Sequence, residues 1–196
     1  AAMKQIAKSG KKILFVATKK QAKGIVAETA AALNMPFITE RWPGGLLTNF
    51  ATIRKSIKKM QTIDKMKENG TFDSLSKRER LQIDRQRAKL DLNLGSIVKM
   101  TRMPEAVFIV DTGKENIALA EANKLGIRSF AMNDTNTNPN LVSFPIPSND
   151  DASKSIQCIM SIVKTAIAEG LEERGADQEA KAVEKKEKAK KITEEK

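Results

Sequence analysis

Polar side chains that could bind a metal ion or a phosphorylated substrate follow three short apolar segments. Asp111-Thr112-Gly113-Lys114 follows residues 106–110, Asp134-Thr135-Asn136 follows residues 127–132, and Asn149-Asp150-Asp151 follows residues 142–146. If these segments are parallel strands, their carboxyl ends form the edge where open parallel sheets bind ligands. One hypothesis is therefore an α/β enzyme that uses strand-end carboxylates on a phosphorylated substrate.

The details of these motifs argue against catalysis. No G-x-G-x-x-G motif follows any of the segments. Gly113-Lys114 resembles the end of a phosphate-binding loop, but Phe108 stands where its first glycine is required, and Glu115 where Ser or Thr would hold magnesium. The aspartates also suit strand-end turns and helix caps. We therefore predict no catalytic residue, no metal site and no cofactor.

Composition excludes further classes of site. The chain has no histidine, which excludes His-based acid–base catalysis and the usual zinc sites. Aromatic residues make up 4% of the chain, too few to predict a base-stacking platform. The one cysteine, Cys158, cannot form an internal disulfide and lies in an apolar pattern, so we interpret it as a core residue. The sequence predicts no signal peptide and no membrane span.

Positive charge is concentrated in the middle of the chain. The formal net charge is +11, and residues 41–102 alone carry 15 basic and 6 acidic side chains, a net charge of +9. Residues 103–170 carry 5 basic and 8 acidic side chains, a net charge of −3. A concentrated basic surface predicts a polyanion partner, most simply a nucleic acid.

The apolar patterns predict the elements that position these groups. Short β-rich runs predict strands at 12–17, 36–39, 106–110, 127–132 and 142–146, and helical patterns predict helices at 21–33, 115–125 and 149–169, the last ended by Gly170. This alternation indicates an α/β fold, a parallel sheet with helices on both faces. The predicted divisions are a first part of the α/β domain (1–45), an inserted basic helical hairpin (46–103), a second part of the α/β domain (104–170) and a charged tail that is helical or disordered (171–196).

The inserted segment predicts two antiparallel helices. Leu46, Phe50, Ile53, Ile57 and Met60 are spaced as in a coiled-coil seam. A stop at Asn69-Gly70 and a capping box at Ser76–Glu79 separate this helix from a second one. The second seam is broader and is assigned to Leu81, Ala88 and Leu92, with Ile83, Leu90 and Leu94 beside it. Basic side chains then flank both seams, and on the second helix they include Arg80 and Arg87.

A short stretch joins the predicted sheet to the hairpin. Arg41-Trp42-Pro43-Gly44-Gly45-Leu46-Leu47-Thr48-Asn49 holds the only tryptophan and the only Gly-Gly pair. Gly44 and Gly45 permit positive φ, and Thr48 or Asn49 can cap the following helix. We interpret Trp42 as the anchor of a structural joint that sets the direction of the hairpin. The predicted joint residues are Trp42, Gly44, Gly45, Thr48 and Asn49.

The joint stretch and three later blocks resemble one known family. The stretch 41–49 is similar to a signature of the small-subunit ribosomal protein S2 family of bacteria. The later blocks occur in the order expected for that family: 104–111 with Glu115, Ala118, 121–122 and 125–127; 134–136 with Pro139; and 146–147 with 149–152. The family normally has a further N-terminal region with a first strand, so the resemblance predicts that this sequence begins inside a longer protein.

The resemblance implies a structural role. A member of this family is expected to have a flavodoxin-like α/β domain with a coiled-coil hairpin and to bind small-subunit rRNA between the head and body of the subunit in the cytoplasm. It is also expected to contact other small-subunit proteins and to help hold the large mRNA-binding protein where that is present. We predict RNA contacts on the hairpin and neighbouring loops at Lys19, Lys20, Arg41, Arg54, Lys55, Lys58, Lys59, Arg78, Arg85 and Lys89. Two alternatives stay open: the enzyme described above, and a hairpin that docks a protein while RNA binds elsewhere.

Overall fold

Five parallel strands form a single sheet at the centre of the protein. The computed structural model describes the backbone of residues 1–194 and the side chains of residues 1–178 apart from residue 73. The strands are β1 (Ile13–Val16), β2 (Phe37–Ile38), β3 (Ala106–Val110), β4 (Arg128–Asn133) and β5 (Phe144–Pro147). Their order across the sheet is β2-β1-β3-β4-β5, with every neighbouring pair parallel. This is the flavodoxin-like order, and the predicted fold class is confirmed.

Side chains of the central strands alternate between two apolar cores. Phe15 of β1 and Phe108 of β3 face a core closed by three helices, α1 (Ala2–Lys8), α2 (Lys20–Ala32) and α6 (Ser153–Glu194). Leu14 and Val107 face the opposite core, which contains α5 (Asn116–Lys124), the joint stretch and the base of the inserted helices. Because both faces are covered, β1 and β3 are buried along their whole length, which explains their continuous apolar sequence.

The last helix continues beyond its predicted end. Gly170 was expected to stop α6, but the helical backbone runs on through the region predicted as a helical or disordered tail. Gly170 is instead the point where α6 approaches α1 most tightly, because a Cβ there would collide with the carbonyl oxygen of Lys4 and lie 3.0 Å from the Cβ of Ala7. Lys4 also forms ion pairs with Glu169 and Glu173. Close packing, rather than chain termination, accounts for this glycine.

Substitution of Gly170 tests this close approach. We expect Gly170→Ala to destabilise the protein by about 1–3 kcal/mol, because the added methyl group forces the two helices apart. Gly175→Ala on the same helix is the matched control, since a Cβ there meets nothing within 4 Å. The control is expected to be neutral or to stabilise by up to about 1 kcal/mol. Urea unfolding of both variants provides the comparison, and equal effects would contradict the packing explanation.

Two long helices project from the second core. They are α3 (Phe50–Glu68) and α4 (Lys77–Leu94), linked by a 3-10 turn at Thr71–Ser74. The capping box at Ser76 and Glu79 is present as expected. Ion pairs join Asp64 to Arg87 and Lys67 to Asp84. The residue number therefore rises along α3 while that of its partner on α4 falls. The two helices are therefore antiparallel; we refer to α3, α4 and their linking turn as the arm.

The predicted seam of α4 is wrong. Leu81 and Leu92 are 51% and 66% exposed, and Ala88 is also exposed. The inward positions are those that were placed beside the seam: Leu94 is buried, and Ile83 and Leu90 are partly buried. On α3, by contrast, the expected seam residues Ile57 and Met60 are buried. Two apolar stripes compete on α4, and packing against α3 and the sheet selects the one that sequence spacing had ranked second.

Cys158 is exposed on α6, which corrects its interpretation as a core residue, because α6 turns its Ile156, Met160 and Val163 side toward the sheet.

Within the described part of the chain, no helix combines the length and the apolar character needed to cross a bilayer.

Candidate nucleic-acid interface

The joint between sheet and arm is organised around one buried carboxylate. Glu121 of α5 is 8% exposed, and its Oε1 accepts hydrogen bonds from Trp42 Nε1 at 3.0 Å and the Gly45 amide at 2.7 Å. Its Oε2 accepts from the amides of Leu47 at 2.9 Å and Thr48 at 3.1 Å, and from the Thr48 hydroxyl at 3.3 Å. One side chain thus holds the residues that lead into α3.

This network also fixes the charge of Glu121. Burial alone would raise its pKa, but hydrogen bonds from Trp42 and from the amides of Thr48, Gly45 and Leu47 lower it overall. The carboxylate is therefore ionised at neutral pH. Sequence reasoning assigned Glu121 only to a block of family resemblance. The signal that the sequence offers is an acidic residue in the otherwise apolar helical segment 117–122.

The joint residues have more specific roles than those predicted. Gly45 has φ of +81°, a conformation that favours glycine, whereas Gly44 is exposed with open space around it. Asn49 occupies the N-cap position of α3, but its side chain makes no cap to the helix backbone and instead accepts a hydrogen bond from the Thr52 hydroxyl. Thr48 binds Glu121. The expected capping by Thr48 or Asn49 is thus replaced by anchoring to α5.

Most of the predicted RNA-binding cations lie on the outer surface of the arm. Exposed lysines occupy the first half of α3, and exposed basic residues are spread along α4. Within the part of the chain that the structure describes, none of these side chains forms an ion pair. They are Lys55, Lys58 and Lys59 on α3, and Arg78, Arg85 and Lys89 on α4.

Other basic residues of this region serve the internal structure of the arm. Arg87 was predicted to face outward, but it pairs with Asp64 across the arm at 2.8 Å and with Asp91 at 3.2 Å. Lys67 pairs with Asp84 and lies 5.2 Å from the ring centre of Phe72. Arg54 is half-buried, and its Nη1 donates to the carbonyl oxygen of Met100 at 3.3 Å, which ties α3 to the segment that leaves the arm.

The remaining predicted cations lie near the carboxyl ends of the strands. Lys20 and Arg41 are exposed and have no ion-pair partner among the described residues. Lys19 is different, because its side chain is 15% exposed and its Nζ lies 2.7 Å from Asp150, 2.6 Å from Asp151 and 3.2 Å from Asp111. We therefore leave Lys19 out of the candidate interface, which retains the exposed residues.

Lys19 offsets part of the negative charge of the strand-end carboxylates. Burial tends to lower its pKa, but hydrogen bonds to Asp150, Asp151 and Asp111 outweigh burial and raise it. The carboxylate oxygens of Asp134, Asp150 and Asp151 lie within 4.8 Å of one another, close enough to share a cation. The ammonium group of Lys19 already provides positive charge to two of them. Glu115, which lies in the same region, accepts hydrogen bonds from the Thr18 amide and hydroxyl.

Replacing Lys19 tests whether its role is internal. We expect Lys19→Met to destabilise the fold by about 3–5 kcal/mol, because Asp150, which is 1% exposed, is left as an uncompensated buried charge. Lys20→Met, at the exposed neighbouring position, is the control and is expected to change stability by less than about 0.5 kcal/mol. Chemical denaturation gives both values. A Lys19→Met variant as stable as the control would return Lys19 to the set of residues available to a partner.

Comparison with known proteins places this sequence in a family. The family model described as "Ribosomal protein S2" matches residues 1–170. The chain is 64% identical over 183 residues to the small ribosomal subunit protein uS2 of Flavobacterium johnsoniae, which covers 93% of this chain and 72% of the relative. It is 65% identical over 176 residues to uS2 of Phocaeicola vulgatus, covering 90% and 63% respectively, and 65% identical over 179 residues to uS2 of Flavobacterium psychrophilum, covering 91% and 67%.

Proposed function

The chain belongs to the ribosomal protein S2 family, and we propose on this basis that it is a structural component of the small ribosomal subunit in the cytoplasm. The prediction of a structural protein rather than an enzyme agrees with this family. The chain spans between 63 and 72% of the length of the three relatives named above, so its action within a subunit is part of the proposal.

The arm and the neighbouring loops are the proposed rRNA contact. The observation that supports this is a set of exposed cations on both helices of the arm that have no acidic partner among the described residues. Cations of this kind attract phosphates and release counterions, but they read little sequence. This proposal includes the coiled-coil packing of α3 against α4. It also includes the division of the chain into one inserted unit, 46–103, between 1–45 and 104–170, with 171–196 as a tail.

Fractionation of ribosomal particles tests the proposal. The full protein is expected to sediment with small subunits at moderate salt and to be released as the salt concentration rises, because phosphate contacts are weakened by salt. A protein that stays in the free pool at low and moderate salt would contradict the assignment. Large subunits prepared in parallel are the matched control, since a basic protein that binds RNA non-specifically would sediment with both subunits.

The side of α4 that carries Arg85 also presents apolar side chains that suit a protein partner. Leu81, Ala88 and Leu92 form an exposed stripe along α4, with spacings of 7 and 4 residues that place them on one side of the helix. Exposed apolar side chains along one side of a helix provide surface for a protein–protein contact. This stripe supports the further proposal that the protein helps to dock neighbouring proteins, including the large mRNA-binding protein. Its proposed position between the head and body of the subunit rests on the family resemblance.

Polar substitution of the stripe separates docking from RNA binding. We expect Leu81→Gln with Leu92→Gln to reduce retention of the mRNA-binding protein on small subunits by about tenfold, while rRNA binding and its salt dependence stay unchanged. Ile117→Gln with Leu141→Gln is the control, because it removes two exposed apolar side chains from the α/β scaffold. Loss of rRNA binding in the stripe variant, with retention of the protein, would contradict this division.

A further inference from the structure

A groove at the base of the arm combines apolar walls with polar and cationic edges. It lies where α3 and α4 meet the joint stretch and has a volume of about 410 Å³. Pro43 from the joint, Ile53 from α3 and Leu90 from α4 provide apolar surface. Among the described residues, no acidic side chain lines it. The groove is therefore within the size range of small-ligand sites and carries only neutral and positive groups.

The polar groups of the groove match the edge of a nucleobase. Gln86 lines it and has no hydrogen-bond partner among the described residues, so its amide can both donate and accept. Asn93 uses its Nδ2 to donate to the carbonyl oxygen of Lys89, which leaves its Oδ1 to accept. Either amide side chain can thus bind the Watson–Crick edge of a base that is no longer paired.

The cations of the groove match the backbone of the same nucleotide. Arg41 and Lys89 line it from opposite elements, the joint and α4, and both are exposed. Arg41 has a planar guanidinium group that can stack on a base or bind a phosphate, and Lys89 can neutralise an adjacent phosphate. An apolar side chain from a protein would leave these cations and both amides without partners, so the observations favour RNA.

We propose that this groove receives one unpaired nucleotide of small-subunit rRNA, turned out of its helix, with its base between Pro43, Ile53 and Leu90. This inference rests on the proposed function and adds a specific contact to it. In A-form RNA the bases of a continuous helix are poorly accessible to side chains, whereas bulged or looped bases can enter a pocket. The groove supplies shape and edge recognition beside an arm that otherwise binds phosphates.

Two substitutions test the groove without changing any charge. Ser56→Met fills it from α3, and Gln86→Leu removes its amide while keeping a similar volume. Thr62→Met is the control for the first, because Thr62 is an exposed residue of the same helix, outside the groove, and its hydroxyl, like that of Ser56, donates to the carbonyl oxygen four residues earlier. Each full-length variant is added to small subunits depleted of their S2 protein. Affinity is measured across salt concentrations, and the Watson–Crick edges of the rRNA are probed with dimethyl sulfate and a carbodiimide.

The expected result is a change in one contact. Ser56→Met and Gln86→Leu should each weaken binding by about tenfold with an unchanged salt slope, and one nucleotide protected by the wild-type protein should become reactive. Thr62→Met should bind and protect like the wild type. The groove proposal would be overturned if Ser56→Met matched Thr62→Met in affinity and protections. Failure of the wild type itself to bind would overturn the proposed function as well.

Discussion

Reversing the charge of Lys55, Lys58 and Lys59 to glutamate is expected to weaken binding to small-subunit rRNA by about a hundredfold at physiological salt. Each phosphate contact contributes roughly 0.7–0.9 to the slope of log affinity against log salt, so the slope should flatten by roughly 2–3 units. The three lysines are exposed and form no ion pair among the described residues, so the loss does not come from broken internal contacts. Arg54 is left unchanged because it binds Met100.

A matched triple variant controls for the change in net charge. Lys124→Glu, Lys154→Glu and Lys164→Glu alter the net charge by the same amount on the α/β scaffold, at positions that are likewise exposed. We expect this variant to keep most of the affinity and nearly the whole salt slope. If both triple variants lost affinity equally, long-range attraction to the whole protein would explain binding, and the first half of α3 would not be the contact surface.

Replacing Glu121 with glutamine is expected to destabilise the protein by about 2–4 kcal/mol. The amide nitrogen of glutamine cannot accept a hydrogen bond, and the indole and backbone N–H groups around it cannot accept one from it, so some of the hydrogen bonds from Trp42, Gly45, Leu47 and Thr48 are lost. Trp42 is the only tryptophan, so its fluorescence follows the joint directly during urea unfolding. Glu172→Gln, at an exposed position of α6, should leave the unfolding curve within about 0.5 kcal/mol of wild type.

The pH dependence of the same pair of proteins provides an independent measurement. The pKa of Glu121 is lowered in the folded state, so its stabilising contribution is complete above the ordinary glutamate pKa of about 4.3 and is lost as the pH falls through the folded pKa. The stability difference between wild type and Glu121→Gln should therefore be largest near neutral pH and shrink in acid. A difference that stayed constant from pH 7 to acid would show that the charge of Glu121 does not hold the joint.

Local patterns in the sequence were sufficient for the sheet. The continuous apolar run Ala106–Val110 and its shorter counterpart at Ile13–Val16 predict buried parallel strands, and both form as expected because their side chains face cores on both sides. Even the weakest strand, Phe37–Ile38, was located, with ends that differ by one residue. These strands are determined by runs of neighbouring apolar residues, which can be identified in a single sequence.

The misassigned residues are those whose partners lie far along the chain. Glu121 meets the joint across more than 70 positions, and Lys19 meets Asp150 across 131, so no local spacing predicts either contact. On α4, Leu81 and Ile83 both begin apolar stripes of similar quality, and only packing against α3 chooses between them. In the sequence, Gly170 is consistent with the end of a helix. The structure shows that a glycine is needed there because α1 packs closely against α6 at this position.

Photocrosslinking from the arm tests most directly whether α3 contacts rRNA. A photoreactive amino acid at position 58 or 59 of the full-length protein, assembled into small subunits, is expected to crosslink to rRNA on illumination. The same residue at position 164 on α6 is the control and is expected to give little RNA crosslinking. Efficient crosslinking from 58 and 59 to rRNA would support the arm as the RNA contact. Crosslinks from both positions to protein alone, in subunits that retain the chain, would contradict it.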